Sequence, residues 1–357
     1  MRCGNSDIVF SENDQLEFGN ILNDNRTVVL LFDNNTYEYC SHIVYDNYPF
    51  LKNTLKYIVK PGEEHKTIDT CLDIWDTLIN ENILKNSLLI CIGGGVISDI
   101  GGFIASIYKR GIEFIFIPTT LLAQVDASLG GKNGVDFKSG KNQLGLISFP
   151  SLINISPKFL DTLPNDQIIS GYAEVVKYAL IWDKDFWRML LTIDHLEGLN
   201  WLPVIKRSIK IKSEIVDKDP YEKGIRKSLN FGHTIGHAIE SIYLKKGQPI
   251  LHGDAIAAGM ECELYISSHY YNWNLDKIKK IINYLRQIFP NIKLEHQDMD
   301  ELIHFMKNDK KNRGDGINFT LIEDVGKVIV DQIVPEEIIR QVIELYISLR
   351  SDDKLTS

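Results

Sequence analysis

His233 and His237 stand four residues apart in the stretch Asn230-Phe-Gly-His-Thr-Ile-Gly-His-Ala-Ile-Glu240. On a helix that spacing places both imidazoles on one face. Asn230 can cap the start of such a helix, and Ile235, Ala238 and Ile239 give it an apolar back. Two imidazoles so placed can bind a divalent metal, or divide ligation and proton transfer between them. Either histidine alone reads as a core residue bonded to a carbonyl. Two further groups shift that balance: His252 in Leu251-His-Gly-Asp254, and Glu174 in Gly171-Tyr-Ala-Glu-Val-Val-Lys177. Two histidines and a carboxylate make a three-ligand site with room for a substrate oxygen. The spacing leaves open which two histidines bind.

The elements that must hold these residues follow from hydrophobic periodicity. Up to about Pro150 the chain alternates strand and helix patterns. Apolar runs at 27–32, 87–92 and 112–117 read as buried strands, each followed by a polar or glycine-rich turn. Helical patterns at 67–80 and 96–108 lie between them. Such alternation predicts a parallel sheet, with ligands outside the carboxyl ends of its strands. After about Leu160 amphipathic helices take over, at 166–182, 203–216, 230–243, 252–269 and 276–289. A hairpin at 317–321 and 327–330 and a closing helix at 336–349 complete the pattern. The fold class is therefore α/β, a parallel-sheet domain over 1–160 followed by a mainly helical domain over 161–357.

A chain of 357 residues suffices for two such cores. The formal net charge is -9 and no long basic run occurs, which argues against a nucleic-acid partner. Lysines and arginines instead stand singly beside glycines, a pattern that suits a pocket for a small anion. The five cysteines are dispersed without a C-x-x-C pair, so reduced, buried thiols are expected. Residues 1–10 do not form a signal peptide, and no apolar run reaches the ~18 residues of a membrane span. A cytoplasmic enzyme is the expected class.

Several loops add anion-binding chemistry. Gly93-Gly-Gly-Val-Ile-Ser-Asp99 joins a strand to a helix, where glycines admit a phosphate and the helix end favours its charge. A tight turn without a ligand would look the same. Glu63 and Lys66 in Pro61-Gly-Glu-Glu-His-Lys66 could hold ribose hydroxyls or be solvated. Asp126-Ala-Ser-Leu-Gly-Gly-Lys132 and Gly140-Lys-Asn142 each put a lysine directly after glycine, which suits phosphate or carboxylate but also a plain surface loop. Lys177 falls three residues after Glu174, close enough for a simple salt bridge. Lys212, Arg226 and Asn230 precede His233.

Taken in order, these motifs resemble the 3-dehydroquinate synthase family, and more broadly the sugar phosphate cyclases. The resemblance runs from about Asp33 to Lys311 and rests on G-G-G-V-I-S-D, Y-K-R-G, P-T-T-L-L-A-Q-V-D-A-S-L-G-G-K, G-K-N, G-Y-A-E-V-V-K, R-K-S-L-N-F-G-H-T-I-G-H-A-I-E and L-H-G-D. It implies a Rossmann-like NAD domain, a helical metal domain and a site in the cleft. It implies that Glu174, His233 and His252 bind zinc or cobalt, while His237 assists proton transfer. Implied NAD contacts are Asp33, Asn35, Glu63, Lys66, Gly94, Gly95, Val96, Asp99, Thr119, Thr120, Lys141 and Thr162. Implied substrate contacts are Asp126, Lys132, Asn142, Lys177, Lys212, Arg226, Asn230 and a lysine of Asp309-Lys-Lys311, with Lys310 favoured. Arg110 matches an arginine that reaches a neighbouring subunit's site, which implies a homodimer.

The activity so implied is cyclisation of 3-deoxy-D-arabino-heptulosonate 7-phosphate to 3-dehydroquinate with loss of phosphate, a step of the shikimate route to chorismate and the aromatic amino acids. Other readings are a sugar phosphate cyclase whose substrate lacks a carboxylate, or a metal-dependent polyol dehydrogenase. One departure stands out. Asp254 follows His252 and Gly253 where many members carry Glu; both are acidic and can orient a ligand. The segment before about Asn25 shows no clear match.

Overall fold

The computed structural model describes residues 1–11, 15–19, 21–22, 26–138, 140–271, 273–308 and 316–351. They form two compact units, Met1–Ile168 with Trp201–Pro220, and Ile169–Asn200 with Tyr221–Ser357.

The first unit holds strands β1 (Arg2–Cys3), β2 (Ser6–Phe10), β3 (Val28–Asp33), β4 (Leu55–Val59), β5 (Leu88–Gly93), β6 (Glu113–Pro118), β7 (Lys132–Phe137), β8 (Gly140–Ile147) and β9 (Leu152–Ile155). Its helices are α1 (Asn34–Asn47), α2 (Ile68–Asn80) and α3 (Gly95–Ile107). Seven strands make one sheet in the order β1-β2-β9-β6-β5-β3-β4, parallel except for the β1–β2 pair. β5 is buried along its whole length and β3 nearly so, which is why both appear in sequence as unbroken apolar runs. From β3 the chain steps out to β4, then returns to the other side as β5. The order reverses there, and the carboxyl ends at the switch are Asp33 and Gly93. Such a switch point is where open parallel sheets leave a crevice for ligands.

The expected strands and helices of this unit fall within about one residue of those observed. Lys132 and the Gly140-Lys-Asn142 motif, expected in loops, instead open the two strands of the β7–β8 hairpin.

The chain then continues through α4 (Asn165–Trp182), α5 (Lys184–Leu190) and α6 (Trp201–Lys218). A single cut at 160/161 places α6 with the second stretch, but by contact it belongs to the first unit. It packs on β1 and on the π-helical turn Ala123–Ala127. Its apolar stripe, including Val204, Ile205, Ile209 and Val216, is buried there.

The second unit contains α7 (His233–Lys245), α8 (His252–Tyr271), α9 (Leu275–Ile288), α10 (Met299–Lys307), the antiparallel hairpin β10 (Ile317–Asp324) and β11 (Lys327–Val334), and α11 (Glu336–Ser351). Its core joins Ile235 and Ile239 of α7, Cys262 and Ile266 of α8, Phe319 and Leu321 of β10 and Ile343 and Tyr346 of α11. The expected cap at Asn230 is not used. Asn230 closes a 3-10 turn, Ile225–Asn230, and Gly232 caps α7 instead, at φ +81°. A side chain at Gly232 would also run into Met260 Cγ at 2.5 Å, so glycine is required twice over. All five cysteines are buried and free. No described helix is long and apolar enough to cross a membrane.

Candidate functional site

In the second unit, Glu174 lies on α4 with 0% exposure. His233 and His252 are the first residues of α7 and α8. Their Nε2 atoms face Glu174 Oε1 at 3.7 Å and 4.0 Å. Nitrogen atoms of His233, His237 and His252 all lie within 4.8 Å of one another. His233 Nδ1 is 3.2 Å from the Phe231 carbonyl, and His252 Nδ1 is 3.5 Å from Glu240 Oε2. With a proton on each Nδ1, both Nε2 lone pairs point inward.

The chain reaches this arrangement through close helix contacts at glycine. A Cβ on Gly253, next to His252, would lie 1.8 Å from the Ser170 carbonyl of α4. One on Gly259 would lie 2.0 Å from the Gly232 carbonyl, beside His233. The three elements that carry Glu174, His233 and His252 are thus locked at backbone distance.

The Lys177 ammonium closes on Glu174 Oε2 as a buried ion pair, and apart from that contact neither carboxylate oxygen has a hydrogen bond among the described residues. A buried carboxylate whose Oε1 is faced by inward imidazole lone pairs suits a divalent metal as a candidate donor set. His237 is near enough to join the set or to act beside it. Arg226 is 1% exposed, and Asn230 Nδ2 donates to Glu222 Oε1 at 3.0 Å.

In the first unit the expected residues gather at the strand ends. Asp33 caps α1 by accepting from the Thr36 amide at 2.8 Å, and burial raises its carboxyl against that bond. Asn35 is exposed in the first turn of α1. Lys66, 3% exposed, reaches Asp99 at 2.6 Å and Glu63 at 3.6 Å. Burial lowers the Lys66 ammonium, but Asp99 and Glu63 more than reverse this, so it stays charged. Lys141 is 3.7 Å from the same Glu63 oxygen, which makes Glu63, Lys66, Asp99 and Lys141 one ionic cluster.

Gly94, Gly95 and Val96 start α3, half-buried. A Cβ on Gly94 would crowd Thr120 Cγ2 at 3.1 Å, and one on Gly95 would crowd Ala127 Cβ at 3.3 Å. Thr119 Oγ1 is buried with no hydrogen bond among the described residues. A bare helix start flanked by a lysine–carboxylate cluster fits the phosphates and ribose of a dinucleotide. Thr162 is exposed at the end of a 3-10 turn, Pro157–Thr162. Lys212 of α6 donates to Asp126 Oδ1 at 2.5 Å and to its carbonyl at 2.7 Å. Lys132 is exposed at the start of β7. The Asp309–Lys310–Lys311 segment lies outside the described residues.

Comparison with known proteins decides the family. The model of the 3-dehydroquinate synthase N-terminal domain matches residues 56–170, and that of the C-terminal domain matches 171–312. A 3-dehydroquinate synthase from Parabacteroides distasonis is 42% identical over 319 residues, 89% of this chain and 90% of the relative. The chain belongs to the 3-dehydroquinate synthase family.

Solved structures similar to this family member have the same fold. A 2-epi-5-epi-valiolone synthase from Streptomyces hygroscopicus, with NAD+ and Zn2+ bound, aligns with a TM-score of 0.82 at 22% identity, covering 96% of this chain and 97% of that one. A 2-deoxy-scyllo-inosose synthase complexed with carbaglucose-6-phosphate, NAD+ and Co2+ aligns at 0.78 and 24%, covering 95% and 96%.

Two residues of this family member's site escaped the sequence reading. Glu240 follows His237 by three on α7 and lies at Nδ1 of His252; its helical spacing from both α7 histidines was the available signal. Asp136 accepts from the Asn142 amide at 2.6 Å and holds Asn142 at φ +51°, while its own amide donates to the Lys66 carbonyl at 2.8 Å. No sequence spacing points to that tie, because it depends on the bulge in the β7–β8 register.

Proposed function

We propose that this chain converts 3-deoxy-D-arabino-heptulosonate 7-phosphate to 3-dehydroquinate and phosphate, as a carbon–oxygen lyase dependent on NAD and one divalent metal, zinc or cobalt. The observation that carries the reading is the fully buried Glu174 carboxylate with His233 and His252 Nε2 directed at it. When bound, NAD takes and returns a hydride and the metal serves as a Lewis acid at a sugar oxygen, so the cycle is redox-neutral.

The chain's own residues do the rest. Glu174, His233 and His252 hold the metal, and His237 moves a proton at its ring nitrogen. Asp33, Asn35, Glu63, Lys66, Gly94, Gly95, Val96, Asp99, Thr119, Thr120, Lys141 and Thr162 bind NAD. Lys132 and Asn142 bind the phosphate that leaves, together with Lys310 on the sequence reading. Arg226 binds the carboxylate, since a planar fork pairs with it through two hydrogen bonds. Asp126, Lys177, Lys212 and Asn230 orient the sugar.

Arg110 serves the site of a second copy in a homodimer. It is exposed, and both Lys109 and Arg110 adopt left-handed φ, +48° and +62°.

The test is to mix the purified protein with the heptulosonate phosphate and substoichiometric NAD, and follow phosphate and NADH together. One phosphate per substrate with no net NADH is expected. NADH accumulating with product would instead mark a dehydrogenase. Sedoheptulose 7-phosphate and glucose 6-phosphate, which lack the carboxylate, should be rejected. Equal turnover of either would leave only the wider cyclase reading.

A further inference from the structure

His233 and His252 each open a helix, so the positive ends of two helices stand at their own candidate cation ligands. A helix start carries roughly half a positive charge. A divalent ion beside two of them would be repelled unless carboxylates offset the ends. For α8 the first turn contains Asp254, and Ser170 Oγ accepts from the Gly253 amide at 3.0 Å. For α7 nothing local serves. Its cap is Gly232, no acid lies in its first turn, and no cap side chain bonds to it.

The missing group comes from α8. Glu263, 0% exposed, accepts from the amides of Gly232 at 2.6 Å, Thr234 at 3.1 Å and Ile235 at 3.3 Å. These donors flank His233 on both sides. We propose that Glu263 is a positioning residue for the metal site: it fixes the orientation of His233 and supplies the negative charge that lets the start of α7 accept a cation ligand. The proposal rests on the metal reading of the preceding subsection.

Glu263 sits eleven residues after His252 on the same helix, about 16 Å along its axis. One rigid rod thus carries one ligand at its start and braces the other ligand's helix three turns later. Glu261, two residues earlier, provides a built-in contrast. It is equally buried, but its carboxylate pairs with Arg286 at 2.5 Å and Arg350 at 2.5 Å. Among the described residues its carboxylate oxygens bond to these two arginines and not to the α7 start, so its loss reports on packing alone.

The experiment measures cobalt binding to the chelator-stripped full chain by competition with a chelator, and records the visible spectrum of the loaded protein. Glu263→Gln keeps the shape but removes the charge and turns an N–H toward N–H donors. Its cobalt affinity should fall by about 10- to 100-fold, the range for partners that orient a ligand, and its cobalt bands should change. Glu261→Gln should lower the melting temperature and keep the wild-type cobalt affinity.

Unchanged affinity and spectrum in Glu263→Gln would overturn the proposal, as would equal weakening in both variants. A wild-type chain that binds no cobalt would remove the metal reading itself. If Glu263→Gln fails to fold, amide exchange in the stripped wild type decides. Slow exchange at Gly232, Thr234 and Ile235 is expected, and the rapid exchange of an open helix end would overturn the brace.

Discussion

At the strand ends of the first unit, the candidate cofactor residues offer mostly backbone and half-exposed side chains. Gly94 and Gly95 matter for the atoms they lack, and Lys66 is held by carboxylates that still touch solvent. The candidate metal residues of the second unit are the reverse. They offer side chains at helix starts, on helices pressed together at glycines and backed by wholly buried carboxylates. The contrast follows from the ligands each would take. A dinucleotide is long and needs a cleared surface with several modest contacts, whereas a metal ion is a point charge and needs a few donors fixed closely. Damage should therefore be graded in the first unit and abrupt in the second.

The largest effect should come from the metal set. His233→Ala should lose the bound metal and about a thousandfold or more in turnover, the several kcal/mol of a Lewis acid, as should chelation. Metal analysis checks this, and full metal content in the variant would end the ligand assignment. His237→Ala should keep the metal and lower kcat by about 10²–10⁴-fold, the range for proton transfer.

Arg226→Ala comes next, with a loss of about 2–5 kcal/mol in kcat/KM and nearly unchanged NAD and metal affinity. Steady-state kinetics with parallel binding titrations would show it. A matching loss of metal would mean that Arg226 supports the fold of the cluster instead.

The smaller effects test the contrast directly through one added methyl group. Gly259→Ala meets backbone at 2.0 Å and should cost about 1–3 kcal/mol in urea unfolding, since two helices must part. Gly94→Ala meets only one side chain, Thr120, whose methyl is nearest at 3.1 Å. It should cost under about 1.5 kcal/mol, seen as a rise in the KM for NAD. If Gly94→Ala proved the more disruptive, the graded-against-abrupt distinction would be wrong.

The sequence showed the buried strands plainly because β3, β5 and β6 are apolar on both faces. It hid β4, a half-buried edge strand whose Leu-Lys-Tyr-Ile-Val carries a charge. It also hid α1, whose start at Asn34 and Asn35 looks like a turn until Asp33 and Thr36 form their reciprocal cap. The candidate donors Glu174, His233 and His252 stand out in the sequence by type and motif. Glu263 does not, because one more acid on a helix is unremarkable until its oxygens are seen at another helix's amides. The Asn230 cap was misplaced for a similar reason: Gly232 takes that position through its close approach to α8, a tertiary cause.

The return of α6 to the first unit also has a consequence for biosynthesis. When residue 168 has been made, every strand of the main sheet exists, yet the helix that packs on β1 and whose Lys212 binds Asp126 is still to come. Synthesis runs at about 5–20 residues per second, so the fifty residues to the end of α6 take roughly 3–10 s. For those seconds β1 and the Ala123–Ala127 turn lack the helix whose apolar stripe covers them. A chaperone that shields nascent chains would find its target there, and a translational pause placed just after residue 168 would lengthen the exposure and raise the aggregated fraction.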